Sequence, residues 1–329
     1  MKLRLRIDEV RGTFDAANAK RSWGERECLR VSFADDEGHT GEGEASPLPG
    51  YSPDSLAEAH AALETLDGFD ADPERPLAAL PELDASAGFA AEVALLDWAS
   101  RRAGRPFASQ LPEPARSELP VAALVRSETE GRARLAEGFA VLKLKVGADL
   151  DAELALARSL RAAGAVLRFD ANGTLPRDQL EGALGALARL DAELLEEPSA
   201  GPWPSSPFPL AIDESLVADP ETALARLRAG EAEWAVIKPM CVGGIRAVSR
   251  LAGSVRGAGG RVLFSHTFGG PIERAAVGAL ALAFGQGAQG LAPHAGLAVW
   301  PAATDLAFDG ATLRPNTQPG LGLRWESPW

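Results

Sequence analysis

Residues 141–172 read VLKLKVGADLDAELALARSLRAAGAVLRFDAN. Val141–Val146 alternates apolar residues with Lys143 and Lys145, Asp151–Ala163 has the composition and length of a helix, and Val166–Asp170 is a second short apolar run. The unit is strand, helix, strand, and it recurs along the chain. Further runs fall at Val121–Val125, Leu194–Glu197, Leu210–Glu214, Trp234–Lys238, Val262–His266 and Leu291–His294, mostly separated by helical stretches such as Asp178–Leu190. Eight runs in this alternation predict an α/β fold of the (β/α)8 barrel type. A doubly wound sheet would need an early Gly-rich phosphate loop, and none is present. Ser199–Pro209, between the fourth and fifth runs, holds four prolines and cannot carry a full helix.

Ahead of the barrel, residues 2–14 and 25–34 read as strands joined by a polar loop, Asp15–Gly24. Gly41–Pro53 is rich in Gly and Pro and reads as a long loop. Asp54–Leu66 and Ser86–Arg102 follow as helices, the second with Phe89, Val93, Leu95 and Leu96 on an apolar stripe. The expected division is an α+β unit over 1–110, the barrel over 111–299, and a return over 300–329. That return has a turn at Asp309-Gly310 and is expected to pack on the first unit.

Composition narrows the function classes. The 329 residues carry 33 Lys+Arg against 46 Asp+Glu, a net charge of −13, and 46% are hydrophobic, which excludes disorder. No apolar run is long enough for a membrane span, and Met1-Lys2-Leu3-Arg4-Leu5-Arg6 leads into no signal-peptide core, so the cytoplasm is the expected compartment. An acidic chain without a basic block argues against nucleic acid. Cys28 and Cys241 form no CxxC pair and read as small buried hydrophobes. Nothing in the sequence sets an oligomeric state. Only five basic residues are lysines, Lys2, Lys20, Lys143, Lys145 and Lys238; the other 28 are arginines. Arginine stays charged, whereas a buried lysine can trade a proton.

The ends of the apolar runs carry the chemistry. In a barrel the carboxyl ends of the strands converge on one face. Asp170, Glu196 and Asp213 end consecutive strands, flanked by Lys143 and Lys145 before them and Lys238 after. Any one acid alone reads as a solvated carboxylate or a helix N-cap. Three together, with no His or Cys among these strands, point to a hard dication, Mg2+ with Mn2+ as a substitute. Lys143 and Lys145 are two apart on a strand and share a face. Neighbouring ammonium groups near a dication are expected to lower each other's pKa towards the range of a general base. Such a constellation suits proton abstraction next to the carboxylate of a small-molecule substrate, a step that forms a dianionic enediolate. A barrel using the acids only for structural metal binding would have no use for the lysines.

Lys143-Leu144-Lys145, Asp170-Ala171-Asn172, Glu196-Glu197-Pro198, Asp213-Glu214-Ser215 and Lys238-Pro239 resemble the ordered signature of the enolase superfamily, in its muconate-lactonizing subgroup. The resemblance implies a modified (β/α)7β barrel with an α+β capping domain completed by the C-terminal tail. It implies metal ligands at Asp170, Glu196 and Asp213, Lys145 as acid/base, Lys238 across the substrate, and Lys143 beside them. Phe264 to Glu273, Gly290 to His294 and the loop Glu44 to Ser52 are similar to the corresponding segments of the o-succinylbenzoate synthase family. That likeness implies a Mg2+-dependent dehydration in menaquinone biosynthesis. Dipeptide epimerases typically carry Asp-x-Asp at the eighth strand, where this chain has Pro293-His294-Ala295; N-acylamino acid racemases and dipeptide epimerases remain the alternative.

For the substrate, Ser265 and the N–H groups after Gly269-Gly270, at a helix start, are candidates to hold a succinyl carboxylate. Gly269-Gly270-Pro271 reads equally as a plain strand-to-helix turn. Asn172, His266 and Tyr51 are further candidates, and His266 and His294 read also as hydrogen-bonded strand-end residues. Tyr51 and Lys20–Arg26 are candidate closing loops or plain surface loops.

Overall fold

Close packing of backbone on backbone decides the N-terminal architecture. The computed structural model describes residues 1–17, 22–293, 300, 303–305 and 307–325. Strands Arg4–Ala17, Ser22–Ala34 and Thr40–Ala45 form an antiparallel sheet in chain order. The expected loop 15–24 is therefore strand over 15–17 and 22–24, and the expected loop 41–53 is strand over 41–45 and irregular beyond it. In the stretch 15–24, Ala16 pairs with Trp23 and Ala17 with Ser22. The buried Trp23 anchors that extension by packing on Leu48 and donating from Nε1 to the Pro49 carbonyl at 3.1 Å. Lys20 and Arg21 lie outside the described residues. The glycines of Gly41–Gly43 serve close approach instead of a loop. A Cβ at Gly41 would overlap the Ala94 carbonyl oxygen, and one at Gly43 that of Ala90.

The helix they lie against, Ala85–Arg102, is a shared wall. Ala90, Ala94, Leu95 and Trp98 pack with Leu29, Val31 and Phe33 of the sheet, while Phe89, Val93 and Leu96 join the barrel core. A shorter helix, Leu56–Glu64, starts at Ser55 in a capping box with Glu58.

Seven parallel strands follow in sequential order: Ala122–Val125, Val141–Lys145, Val166–Asp170, Ala192–Glu196, Leu210–Ile212, Trp234–Ile237 and Arg261–Phe264. Their outward residues, among them Leu142, Leu144, Leu167, Phe169 and Ile237, pack in the large core that includes the surrounding helices. Leu194, Ala211, Trp234, Val236 and Leu263 form a separate cluster of inward residues. The expected eighth strand is not a ladder. The seam closes instead at Gln289 and Gly290, which bridge to Val121 and Ser265. The Gln289 backbone both donates to Pro120 O and accepts from Ala122 N, and Gly290 N donates to Phe264 O. Arg168 spans the interior, with Nη1 donating to the Ala288 carbonyl at 2.5 Å. As expected, no helix forms over 199–209.

The expected turn at Asp309-Gly310 joins Phe308–Asp309 to Thr312–Leu313, and the second strand pairs with Leu119–Pro120. Leu321 N donates to the buried Asp97 at 2.8 Å, so this return reaches the shared helix. Among the described residues no helix is long and apolar enough to cross a membrane.

Candidate active site

The carboxyl ends of the strands open into a cavity of about 350 Å3, within the size range of small-molecule sites. Register sets what it contains. Lys145 pairs with Asp170 and Asp170 with Glu196 across adjacent strands, so the charged groups arrive side by side. Lys143, Lys145, Asp170, Asn172, Glu196, Lys238 and Tyr51 all line it. Ligand oxygens of Asp170, Glu196 and Asp213 lie within 4.8 Å of one another, and the three residues are buried. All-oxygen, triply anionic donors in a buried cluster fit a hard dication such as Mg2+.

Each lysine is held by these acids. Lys143 Nζ stands 2.5 Å from Glu196 Oε2 and 2.8 Å from Asp170 Oδ2. Lys145 Nζ donates to Asp170 Oδ2 at 2.6 Å and to Asn172 Oδ1 at 2.8 Å. Lys238 Nζ donates to both oxygens of Asp213 at 2.5 Å and to the Tyr51 hydroxyl, which itself reaches Asp213 Oδ1 at 3.0 Å. Lys143 and Lys238 feel opposing influences from the protein alone. Burial lowers both, but the surrounding carboxylates, Asp170 and Glu196 foremost for Lys143 and Asp213 for Lys238, outweigh it and raise them. Burial likewise pushes Asp170 up, yet Lys143 and Lys145 hold it well below the usual carboxylate range.

Several participants were not singled out from the sequence. Glu197 sits in the left-handed region (φ 39°) directly after Glu196, and its Oε2 accepts from Asp213 N at 2.8 Å and Ser215 Oγ at 3.0 Å. Glu214 Oε1 accepts from Asn172 Nδ2 at 2.7 Å, which fixes the Asn172 amide with its oxygen towards Lys145. Burial and then the Asp213 charge push Glu214 up to about 7. Asn172 is thus bonded on both sides within the protein. The repeated acids in Glu196-Glu197 and Asp213-Glu214 were the available signal, since adjacent residues at a strand end face opposite ways.

The seventh strand end corrects one expectation. Ser265 and His266 line the cavity, with Ser265 Oγ donating to Gly290 O at 3.2 Å and His266 Nδ1 accepting from Phe268 N at 3.2 Å. Gly269 and Gly270 offer no free N–H groups to a substrate. Gly269 N donates to Glu273 Oε2 at 2.6 Å and Gly270 N to Glu44 Oε1, while Glu273 N donates to Glu44 Oε2 at 3.1 Å. Arg26 ties the same node together through Ser46 O at 2.7 Å, Pro47 O at 3.0 Å and Thr267 O at 3.1 Å. The loop bearing Tyr51 and the seventh-strand loop are thereby fastened to each other. His294 lies outside the described residues. Cys28 and Cys241 are buried free thiols, as expected, and burial pushes Cys241 up to about 12.

Comparison with known proteins agrees with this geometry. The enolase C-terminal domain-like family profile matches residues 126–328, well over half of the chain. The chain belongs to the enolase superfamily. An o-succinylbenzoate synthase from Desulfotalea psychrophila is 32% identical over 178 residues, a stretch spanning 47% of this chain and 48% of that protein. The chain thus matches about half the length of that curated relative. The dipeptide epimerase of Methylococcus capsulatus, solved with Mg and the dipeptide L-Arg-D-Lys, has a TM-score of 0.79 at 27% identity, covering 98% of this chain and 99% of its own. The muconate lactonizing enzyme of Pseudomonas fluorescens, complexed with muconolactone, has a TM-score of 0.83 at 23% identity, covering 99% and 97%, a likeness of fold. The buried acids Asp170, Glu196 and Asp213 suit the metal-dependent chemistry of this superfamily.

Proposed function

We propose that this enolase-superfamily enzyme is an o-succinylbenzoate synthase, converting 2-succinyl-6-hydroxy-2,4-cyclohexadiene-1-carboxylate to 2-succinylbenzoate, with Mg2+ as its cofactor. The observation that carries the reading is the absence of acids where a dipeptide's ammonium would need one. No Asp or Glu occurs between Glu273 and Asp305, a stretch that contains the closing segment, and none of the described cavity-lining residues 265–268, 290, 292 and 293 is acidic. The 32% identical relative supports the same activity.

A divalent cation held by Asp170, Glu196 and Asp213 supplies positive charge against the second negative charge that forms on the substrate carboxylate. Lys145 takes the proton from the carbon bearing that carboxylate, and the C–H electron pair passes into the enediolate. The pair then returns to form the ring double bond as the hydroxyl on the next carbon leaves. Lys145 gives its proton to that hydroxyl, so water departs from the face where the proton was taken and the ring becomes aromatic. Asn172, fixed by Glu214, accepts from Lys145 and keeps its Nζ in place. Lys238 contributes a fixed ammonium beyond Asp213, held by Tyr51. Lys143 balances Asp170 and Glu196.

N-acylamino acid racemisation is the second reading, favoured by Lys145 and Lys238 both lining the cavity as two candidate bases. Purified protein with Mg2+ is expected to consume the diene absorbance of the cyclohexadiene and yield the aromatic product less one water, and EDTA is expected to stop it. No loss of the diene together with racemisation of N-succinyl amino acids would establish the second reading instead.

A further inference from the structure

The acids and lysines occupy the ends of strands two to six, leaving the mouth at strands seven and one and the closing segment at Gln289 and Gly290 to bind the rest of the substrate. Arg126 is among the cations there. Leu124 pairs with Lys143 and Val125 with Leu144, and Arg126 follows directly at the end of this first strand. Arg126 is two residues beyond Leu124, shares its face, and lines the cavity with it.

Its charge is uncommitted. Lys143, Lys145 and Lys238 are bound to the acids, as described above. Arg134, also at the cavity, donates to Glu137 Oε2 at 2.8 Å, and Arg168 to Glu193 Oε2 at 2.6 Å. Among the described residues the Arg126 guanidinium, which is exposed, makes no hydrogen bond or ion pair; its backbone N–H holds Glu130 Oε2 at 2.8 Å, drawing the one acid of this sector back to the main chain. The other anion cradle, the N–H groups of Gly269 and Gly270, is filled by Glu273 and Glu44.

We propose that Arg126 is the specificity-determining residue of this site, pairing with an anionic group that the substrate carries several bonds from its reacting carbon. This rests on the proposed proton abstraction next to a carboxylate, and it narrows the substrate class to dicarboxylates whose second carboxylate ends a flexible arm. A succinyl ketone and an N-succinyl amide both belong to it. A dipeptide, with an ammonium at that end, is repelled.

The test is calorimetric binding to the Mg2+-loaded protein of 2-succinylbenzoate and of its analogue with a primary amide in place of the distal carboxylate. Wild type is expected to prefer the dicarboxylate about tenfold, the scale of one charge-assisted pair at an open rim. Arg126→Gln is expected to bring the ratio near one, mainly by weakening the dicarboxylate; Arg126→Lys is expected to keep most of the preference; added salt is expected to shrink it in wild type. A preference unchanged in Arg126→Gln, an equal weakening of both ligands, or no preference in wild type would overturn the proposal. If neither benzoate binds, the functional reading fails separately. N-succinylphenylalanine and its amide analogue then decide the matter, and lack of either binding or preference there overturns the role of Arg126 too.

Discussion

Lys145→Arg separates charge from proton transfer. Arginine keeps a cation next to Asp170 and retains donors for Asn172 Oδ1, so the two contacts that Lys145 makes at 2.6 and 2.8 Å both have replacements. Lys143 remains 2.8 Å from Asp170 Oδ2 in any case, so no buried carboxylate loses its last cation. What changes is basicity. With a pKa of at least ~12.5, a guanidinium is neutral in about one molecule in 10⁴ or fewer at pH 8. If Lys145 is the base, kcat is expected to fall at least about 10²-fold, the gap between the free side chains' pKa values, near 2.8 kcal/mol in the barrier. Mg2+ affinity is expected to stay within about threefold and the melting temperature within ~2 °C of wild type. The assay is loss of diene absorbance under saturating substrate, with Mg2+ binding and a thermal melt on the same preparation. Turnover within tenfold of wild type, with metal and fold intact, would refute the base assignment.

Two further outcomes follow from the same geometry. Asp213→Asn removes one of three anionic ligands, and calorimetry is expected to show Mg2+ binding weakened at least about tenfold; unchanged affinity would remove Asp213 from the ligand set. Glu273 is fully buried, and burial, then the Glu44 charge, push it up to about 7, against the pull of the Thr267 hydrogen bonds and of Arg26. Between its unfolded value near 4.5 and 7 the folded protein binds the extra proton, so this group's contribution to stability is lost as pH rises through that window. Glu273→Gln is expected to flatten the fall in stability between pH 5 and 7.5, measured by urea unfolding, by about 1–3 kcal/mol. A slope identical to wild type would contradict the buried-pair description.

The sequence made the barrel and its charged centre legible because that chemistry demands particular residue types at successive strand ends. Lys143, Lys145, Asp170, Glu196, Asp213 and Lys238 each close an apolar run, and strand register alone brings them together. Other features depend on contacts that no local pattern records. Gly41 and Gly43 look like loop glycines, yet they admit the backbone of the shared helix. Trp23 lies in a polar stretch and holds a hairpin extended through packing on Leu48. The barrel seam closes through backbone groups of the polar Gln289 in place of the apolar run after it. Arg26, Glu44 and Glu273 are single charges far apart in the chain, and only the fold reveals that the two glutamates fill the cradle assigned to a substrate carboxylate while Arg26 ties together the loops around it.

The most direct measurement is a paired determination of kcat/KM on one Mg2+-loaded preparation, for dehydration of the succinyl-hydroxycyclohexadiene carboxylate and for racemisation of an N-succinyl amino acid. The account predicts dehydration as the faster reaction, with both lost in Lys145→Arg. Racemisation without dehydration would contradict the proposed synthase, and either reaction persisting at the wild-type rate in Lys145→Arg would contradict the site that underlies it.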